Sequence, residues 1–311
     1  MKILEYNDVD PARVTYLTKL GQNFPLTPER AARLRRTDPR LFPCLAIYAV
    51  EDDLVIGQVG IFRLPLRSTQ GCEDAGGIWA VSTHPQYADQ RILYLLLEEA
   101  HARMRADGLR FAALSTDRYS WTYNLYQRLG YEETYVWATA LADWETAHQP
   151  TRLYAISPEP DSRATIEMIF SEIARDYLGF TWRPTPFAPL QLVEPADIWI
   201  IQANSRPVGY VLAQTDGAVL NISNLTLQSG ADAAEAIAAV TARLQAAYVQ
   251  VKISRPADIA SLRRVGYHIA SPSWDSFMLK PLVPEVTFDD ARRLFGIGTD
   301  RFLISWLDIT I

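Results

Sequence analysis

The spacing of apolar and polar residues predicts an ordered series of helices and strands over residues 11–141. Residues 11–36 have helical spacing, interrupted near Pro25 and Pro28, and Thr27 is a suitable N-cap for the second part. Two β-rich runs flank an acidic turn in LAIYAVEDDLVIGQVGIFRL, which is typical of a hairpin. Three further strands, GGIWAVST, LRFAALST and YEETYVWATAL, alternate with helices at 90–107 and in SWTYNLYQRL. This order predicts an α/β protein with a mixed, α+β type of sheet.

The second half of the chain repeats this pattern. After a helix at 163–177, the segment DIWIIQANSRPVGYVLAQ predicts a second hairpin, in which PVGYV resembles VIGQV of the first. Strand, helix, strand and helix follow, and LRRVGY at 262–267 aligns with YQRLGY at 126–131. We therefore predict two copies of one fold, residues 1–142 and 150–282, with a short helix-strand tail at 283–311 that packs on the domains.

Composition narrows the class of protein. Of the 311 residues, 49% are hydrophobic and 21% charged, and no apolar run approaches the roughly 20 residues of a membrane span. The N-terminus has no apolar segment typical of a secretion signal, so we expect a cytoplasmic protein. Cys44, Cys72 and the four histidines lack metal-ligand spacing, which predicts no metal site. The net charge of -6 argues against a nucleic-acid partner; the oligomeric state stays open.

Two segments carry a family resemblance. GGIWAVSTHPQY before a helix and NLYQRLGYEE after the next strand resemble the GCN5-related N-acetyltransferase (GNAT) superfamily. The whole chain looks like two tandem acyl-CoA N-acyltransferase folds, as in mycothiol synthase and the first two domains of Eis-type acetyltransferases. The resemblance implies transfer of an acetyl group from acetyl-CoA to an amine, carried by a small molecule or a peptide. It also implies that the first half binds the cosubstrate, with the second half as a degenerate copy.

The loop that would hold the cosubstrate departs from the family pattern. In the family, Gln/Arg-x-x-Gly-x-Gly/Ala surrounds the pyrophosphate with backbone N–H groups at a helix N-terminus. Neither glycine is present here, so side chains replace the open backbone that glycine provides. Asp89 could cap the helix, and Arg91 could supply a cationic contact to a phosphate. The cosubstrate-binding residues implied by the resemblance are Val81, Ser82, Ala88, Asp89, Gln90, Arg91, Ile92 and Leu93.

Candidate catalytic residues follow from the same resemblance. Tyr126 occupies the place of a family tyrosine that protonates the departing CoA thiolate, whereas the second copy has Leu262 there. Acyl transfer also needs a group that removes a proton from the amine. Asp117, at the end of LRFAALSTD, is the candidate base, and Glu73 and Asp74 are alternatives.

Two rival functions remain open at this stage. The missing glycines are compatible with a non-catalytic binding or interaction protein on a degenerate tandem GNAT scaffold. A transferase that uses another acyl donor, such as aminoacyl-tRNA, is less favoured, because the chain lacks the basic face that such a donor requires.

Overall fold

Two mixed sheets with helices on their faces make up the described parts of the chain. The structure, a computed structural model, describes residues 1–22, 24–88, 91–147, 154–158, 163–179 and 197–304. This architecture confirms the predicted α/β class with two repeated folds. In the described ranges, no helix combines the length and the apolar character needed to cross a membrane.

The helices and strands lie close to the predicted segments. The described helices are Pro11–Gln22 (α1), Pro28–Thr37 (α2), Ile92–Ala106 (α3), Trp121–Arg128 (α4), Trp144–Ala147 (α5), Arg163–Ala174 (α6), Ala233–Leu244 (α7), Pro256–Arg264 (α8) and Phe288–Phe295 (α9). The described strands are Lys2–Glu5 (β1), Leu41–Glu51 (β2), Leu54–Ser68 (β3), Gly71–Thr83 (β4), Phe111–Asp117 (β5), Glu132–Val136 (β6), Ala138–Asp143 (β7), Tyr154–Pro158 (β8), Ile198–Ala203 (β9), Arg206–Asp216 (β10), Val219–Leu227 (β11), Tyr248–Ile253 (β12), His268–Ala270 (β13) and Asp275–Pro281 (β14).

Local sequence signals explain several element boundaries. The Thr27 side chain accepts the Arg30 N–H and caps α2, as predicted. The turn between β2 and β3 places Asp52 and Asp53 at φ 46° and 63°, and that between β9 and β10 places Asn204 and Ser205 at 50° and 60°. Such paired left-handed residues match the twist of a two-residue hairpin. Both halves therefore use the same turn at the same place in the fold.

The two sheets have equivalent strand orders. Within the described residues the first sheet runs β1-β2-β3-β4-β5-β14-β6, and the second, taken in the same sense, runs β8-β9-β10-β11-β12-β7-β13. In each sheet the fourth and fifth strands pair in parallel, while the neighbouring pairs are antiparallel. The repeat seen in the sequence is therefore a repeat of topology.

Each half gives one strand to the sheet of the other half. β14 lies between β5 and β6 of the first sheet, and β7 lies between β12 and β13 of the second. The sequence analysis predicts a single strand in YEETYVWATAL; the structure divides it between β6 and β7, which lie in different sheets. Trp137 at the division is buried, and its indole N–H donates to the Ile304 carbonyl at 3.1 Å. The proposed boundaries, 1–142, 150–282 and 283–311, are a division along the sequence, across which these strands are exchanged.

The faces of the first sheet bear separate hydrophobic cores. One contains side chains of α1, α2 and α9 with Tyr48, Trp79 and Phe111. The other contains α3 and α4 with Ile78, Ala112 and Leu114. Because β-strand side chains alternate, neighbouring residues of β5 contribute to opposite cores. The helix that carries Tyr126 and the helix after the predicted loop thus lie on one face.

Candidate active site

An opening separates β4 and β5 at their C-terminal ends. Their parallel pairing is restricted to Gly76 with Ala112 and Gly77 with Ala113. Beyond these pairs, residues 78–83 of β4 remain paired with β3, whereas 114–117 of β5 remain paired with β14. Along the facing edges beyond these pairs, the backbone N–H and C=O groups of β4 and β5 therefore form no hydrogen bonds with each other.

A β-bulge lies on the β4 side of this opening. Gln58 pairs with Ser82 and Gly60 with Trp79, so Val59 alone faces the two residues Ala80 and Val81. Ala80 has φ 48°, a left-handed conformation that a non-glycine residue rarely adopts. The bulge redirects the backbone of β4 at the candidate residues Val81 and Ser82.

The N-terminus of α3 lies beyond the end of β4. Arg91 is the N-cap residue, with φ 56° and an exposed side chain, and its own side chain makes no capping hydrogen bond. Ile92 and Leu93 are buried in the core, so the first turn presents backbone N–H groups rather than these side chains. Leu93, one of the two residues that replace the family glycines, directs its side chain into the core.

A glycine in β3 allows α3 to lie close to the sheet. A Cβ atom added at Gly57 would lie 2.6 Å from Cγ2 of Ile92 and 2.9 Å from Cδ1 of Leu96. Ala88 ends the short turn after β4, where its N–H donates to the Pro85 carbonyl. Asp89 and Gln90 lie outside the described residues.

Tyr126 lies in the core on the α3 face of the first sheet. It is 5% exposed and belongs to the same apolar cluster as Val81, and its ring meets that of Tyr131 edge-on at 5.9 Å. Burial raises the pKa of Tyr126 because the phenolate would lose its hydration. At neutral pH the side chain is therefore a phenol that carries its proton.

The candidate carboxylates have different surroundings. Asp117 is exposed at the end of β5, and its Oδ1 accepts the Tyr119 N–H at 2.8 Å. This bond forms an Asx-type turn, which orients the carboxylate at the edge of the opening. Glu73 instead forms a two-bond ion pair with Arg110, and burial raises the pKa of Asp74. Both lie towards the other end of β4, away from the opening. In the described parts of the chain, His, Cys, Asp and Glu form no cluster that could hold a metal ion.

A buried polar network behind Tyr126 was not found from the sequence. Nε2 of His101 lies 2.7 Å from the Tyr131 hydroxyl, and Lys280 of the exchanged strand lies 3.5 Å from Nδ1. Burial, together with the charges of Lys280 and Arg105, lowers the pKa of His101 to about 3. The sequence gives one indication of this network, a histidine at an apolar position of α3, but this indication does not identify the residue with which the histidine forms a hydrogen bond.

The corresponding opening in the second sheet is filled by side chains. β11 and β12 pair in parallel from Val219–Tyr248 to Ile222–Val251. Beyond this, Arg255 after β12 donates to the Leu227 carbonyl at the end of β11 and forms two hydrogen bonds with Asp258. The remaining cavity is about 20 Å³, room for about one water molecule.

The helix N-terminus next to this second opening is also occupied. The Asp232 carboxylate accepts hydrogen bonds from Glu235 N–H, Ser261 and Arg264. Burial acts to raise the pKa of Asp232, but these bonds lower it overall. An anionic ligand would therefore meet a carboxylate at α7, whereas the described part of the α3 N-terminus has no such cap.

A family model matches the first half of the chain. Residues 10–134 match the acetyltransferase (GNAT) domain. This range includes the opening, the α3 N-terminus and Tyr126. No curated protein sequence matches the chain.

Solved structures with a similar fold cover almost all of the chain. A probable N-acyltransferase of unknown function from Enterococcus faecalis V583 has TM-score 0.69 at 14% identity. The match covers 90% of this chain and 72% of the Enterococcus chain. A GCN5-related N-acetyltransferase from Kribbella flavida has TM-score 0.66 at 18% identity, with 94% and 72% covered. Eis1 from Mycobacterium abscessus has TM-score 0.61 at 16% identity, with 91% and 74% covered. At these identities the likeness establishes the fold.

Proposed function

We propose, from the match of residues 10–134 to the acetyltransferase (GNAT) domain, that the chain transfers the acetyl group of acetyl-CoA to an amine in the opening between β4 and β5. The observation that carries the proposal is the combination of a separated strand pair, a helix N-terminus without a described side-chain cap, and a buried tyrosine on one side of the first sheet. In the second half the Arg255 side chain lies in the corresponding opening, and Asp232 caps the α7 N-terminus.

The residues present fit an acyl-CoA cosubstrate. The α3 first turn offers backbone N–H groups and the positive end of the helix dipole to the pyrophosphate. Arg91 adds a positive charge, and its left-handed backbone adopts the type of conformation that glycine usually supplies. The bulge residue Val81 offers its backbone N–H to the cosubstrate along the opening. Because Ile92 and Leu93 face the core, the absence of glycine does not close the turn.

The proposed reaction joins the amine nitrogen to the acetyl carbon. The neutral amine attacks the thioester carbonyl, a C–N bond forms, and the C–S bond breaks. The proton lost by nitrogen passes to Asp117, directly or through water, and the departing thiolate takes the phenolic proton of Tyr126. Water then carries a proton from Asp117 to the tyrosine, so that both groups regain their starting protonation states as the amide and free CoA leave. Tyr126 is supported by its burial in the core on the α3 side of the first sheet, and Asp117 by its position at the end of β5.

The second half acts in this proposal as a scaffold that helps to shape the acceptor site. Arg255, Asp258 and Asp232 fill the places that correspond to the cosubstrate site of the first half. We therefore expect one CoA per chain. The acceptor class is an amine of a small molecule or a peptide, and we expect the protein to act in the cytoplasm.

Calorimetric titration with acetyl-CoA and CoA tests the cosubstrate site. We expect micromolar affinity with one site per chain, and Arg91→Ala should weaken binding roughly 3- to 10-fold through loss of a charge-assisted contact. Arg293→Ala is the matched control, because Arg293 is an exposed arginine whose partner is Asp290 of α9. Absence of binding at millimolar CoA would favour the rival, a non-catalytic protein on this scaffold.

An amine screen with detection of released thiol tests transfer itself. With an active amine, Tyr126→Phe should lower kcat by roughly 100-fold or more, as expected for loss of a general acid, with little change in CoA affinity. Unchanged turnover in this variant would remove the role of Tyr126 without affecting the cosubstrate site.

A further inference from the structure

Both carbonyl groups of the β4 bulge are held by glutamine side chains. Nε2 of Gln58 donates to the Ala80 carbonyl at 3.1 Å, and Nε2 of Gln22 donates to the Val81 carbonyl at 3.1 Å. Gln58 lies on the neighbouring strand β3 and is fully buried, whereas Gln22 lies exposed at the end of α1. The two residues that interrupt the regular ladder therefore gain partners from two different elements.

The bond from Gln58 also sets the direction of an N–H group. The Ala80 carbonyl and the Val81 N–H belong to one peptide unit, which is planar and trans, so they point in opposite directions. When Gln58 holds the carbonyl, it fixes the Val81 N–H on the other side of that peptide. The Val81 side chain packs against the apolar cluster on the α3 face, to which Tyr126 also belongs.

Alternation along β4 places further groups at the same edge. His84 N–H donates to the Ile56 carbonyl of the β3 side at 2.9 Å. In an antiparallel pair the next residue directs its N–H to the opposite edge, so Thr83 faces the opening. The bulge lies two residues before it and determines how the strand continues along this edge.

We propose that Gln58 is a positioning residue for acyl transfer, which acts through the Ala80–Val81 peptide to aim the Val81 N–H at the acyl carbonyl. This proposal rests on the proposed function. When the amine attacks, the carbonyl oxygen gains negative charge, and an N–H that is already oriented stabilises it without reorganisation. The left-handed φ of Ala80 is a strained conformation that the surrounding bonds must maintain.

The second sheet provides an internal comparison. β11 also has a register irregularity against β10, between the pairs Leu212–Asn224 and Ala213–Ile222. In the described chain, none of residues 222–225 has a positive φ, and Tyr210 stands where PVGYV aligns with Gln58. The left-handed bulge with its glutamine is therefore a feature of the half with the open site.

Two variants of Gln58 test the proposal. Gln58→Met removes the donor at similar volume, and it should lower kcat roughly 10- to 100-fold while the KM for acetyl-CoA changes less than about 3-fold. Gln58→Glu keeps the shape, but the new carboxyl can donate to the Ala80 carbonyl only when it is protonated. Its kcat relative to wild type should therefore rise as the pH is lowered from 9 to 6. Gln214→Met, which removes an exposed glutamine that bonds to Asp197 in the second half, is the matched control.

Hydrogen exchange of residues 78–84 gives a readout that does not depend on activity. Gln58→Met should speed exchange in this segment at least about 10-fold relative to Gln214→Met, because the peptide loses its restraint. A kcat within 2-fold of wild type, or a flat pH ratio for Gln58→Glu, would overturn the proposal. If wild type transfers no acetyl group, the proposed function fails, and unchanged exchange in Gln58→Met would separately refute the restraint itself. If Gln58→Met does not fold, the Gln58→Glu pH ratio and its exchange decide.

Discussion

Replacement of Asp258 by alanine should destabilise the whole chain, although Asp258 lies in the second half. Asp258 and Arg255 are 3% and 8% exposed and are joined by hydrogen bonds of 2.7 and 2.6 Å. The variant leaves a guanidinium group buried without its carboxylate, and breaking such a pair costs about 3–5 kcal/mol. The free energy of unfolding should fall by that amount.

The exchanged strands determine how this loss is distributed. β14 of the second half lies between β5 and β6, and β7 of the first half lies between β12 and β13. Unfolding of either half would therefore break the hydrogen bonds between strands in both sheets. We therefore expect one cooperative transition. For 311 residues that unfold together, an entropy of about 2.1 cal/mol/K per residue converts the loss into a fall in Tm of roughly 5–8 °C.

Differential scanning calorimetry with and without CoA checks this expectation. Asp289→Ala is the matched control, since Asp289 forms an Arg–Asp pair of the same i,i+3 spacing with Arg292, but on the surface. That pair should contribute at most about 1 kcal/mol. CoA affinity of Asp258→Ala at 25 °C should stay within about 2-fold of wild type, because Asp258 lies on α8 of the second half and shares no described partner with the candidate site. Two separate transitions, or a Tm shift no larger than that of the control, would refute the coupling through exchanged strands.

Two further predictions concern the first half. The pKa of His101 is lowered to about 3 by burial and nearby charges, against about 6.5 in the unfolded chain, so the unfolded state binds more protons between these values. Neutral His101 therefore contributes fully to the free energy of unfolding above about pH 6.5. This contribution falls by up to about 1.4 kcal/mol per pH unit as the pH is lowered towards 3. Urea unfolding from pH 7 to 5 should show this slope in wild type and a shallower one in His101→Gln; equal slopes would contradict it. Gly57→Ala should cost about 1–3 kcal/mol through overpacking and should also weaken CoA binding, because Ile92 at the α3 N-terminus must move. Gly209→Ala, at the aligned position of the second sheet, should be destabilising without an effect on CoA, and equal CoA affinities of the two variants would count against the role of Gly57.

Local patterns predicted much of the fold. Apolar spacing located α1 to α4 and most strands of both halves, and Thr27 and the acidic turn at 51–53 marked boundaries, because caps and turns depend on a few neighbouring residues. The patterns missed β1, β8, β13 and β14, which are short or lie at the ends of the repeats. The prediction of a single strand across Trp137 was wrong because the alternation of apolar and polar residues does not determine which sheet a strand will join.

Part of the candidate site was also accessible from the sequence. The resemblance placed Tyr126 on the helix after the fourth predicted strand, which is β5 of the structure, and the structure shows its side chain in the core. The effect of the missing glycines was harder to predict, because it depends on where side chains point. Leu93 turns into the core, and Arg91 adopts the left-handed conformation itself. The roles of Asp117 and the remaining loop residues stay predictions.

The sequence by itself determined the kind and order of the elements and the presence of two copies, since helix and strand periodicity, caps and turns are short-range properties. Only the tertiary structure decided which sheet receives β7 and β14, which of the two openings is filled, and how Gln58 meets the Ala80 carbonyl. These outcomes depend on contacts between residues that are distant in the chain. The free energy that favours each outcome comes from burial and hydrogen bonding in the assembled chain, and local sequence patterns therefore do not predict it.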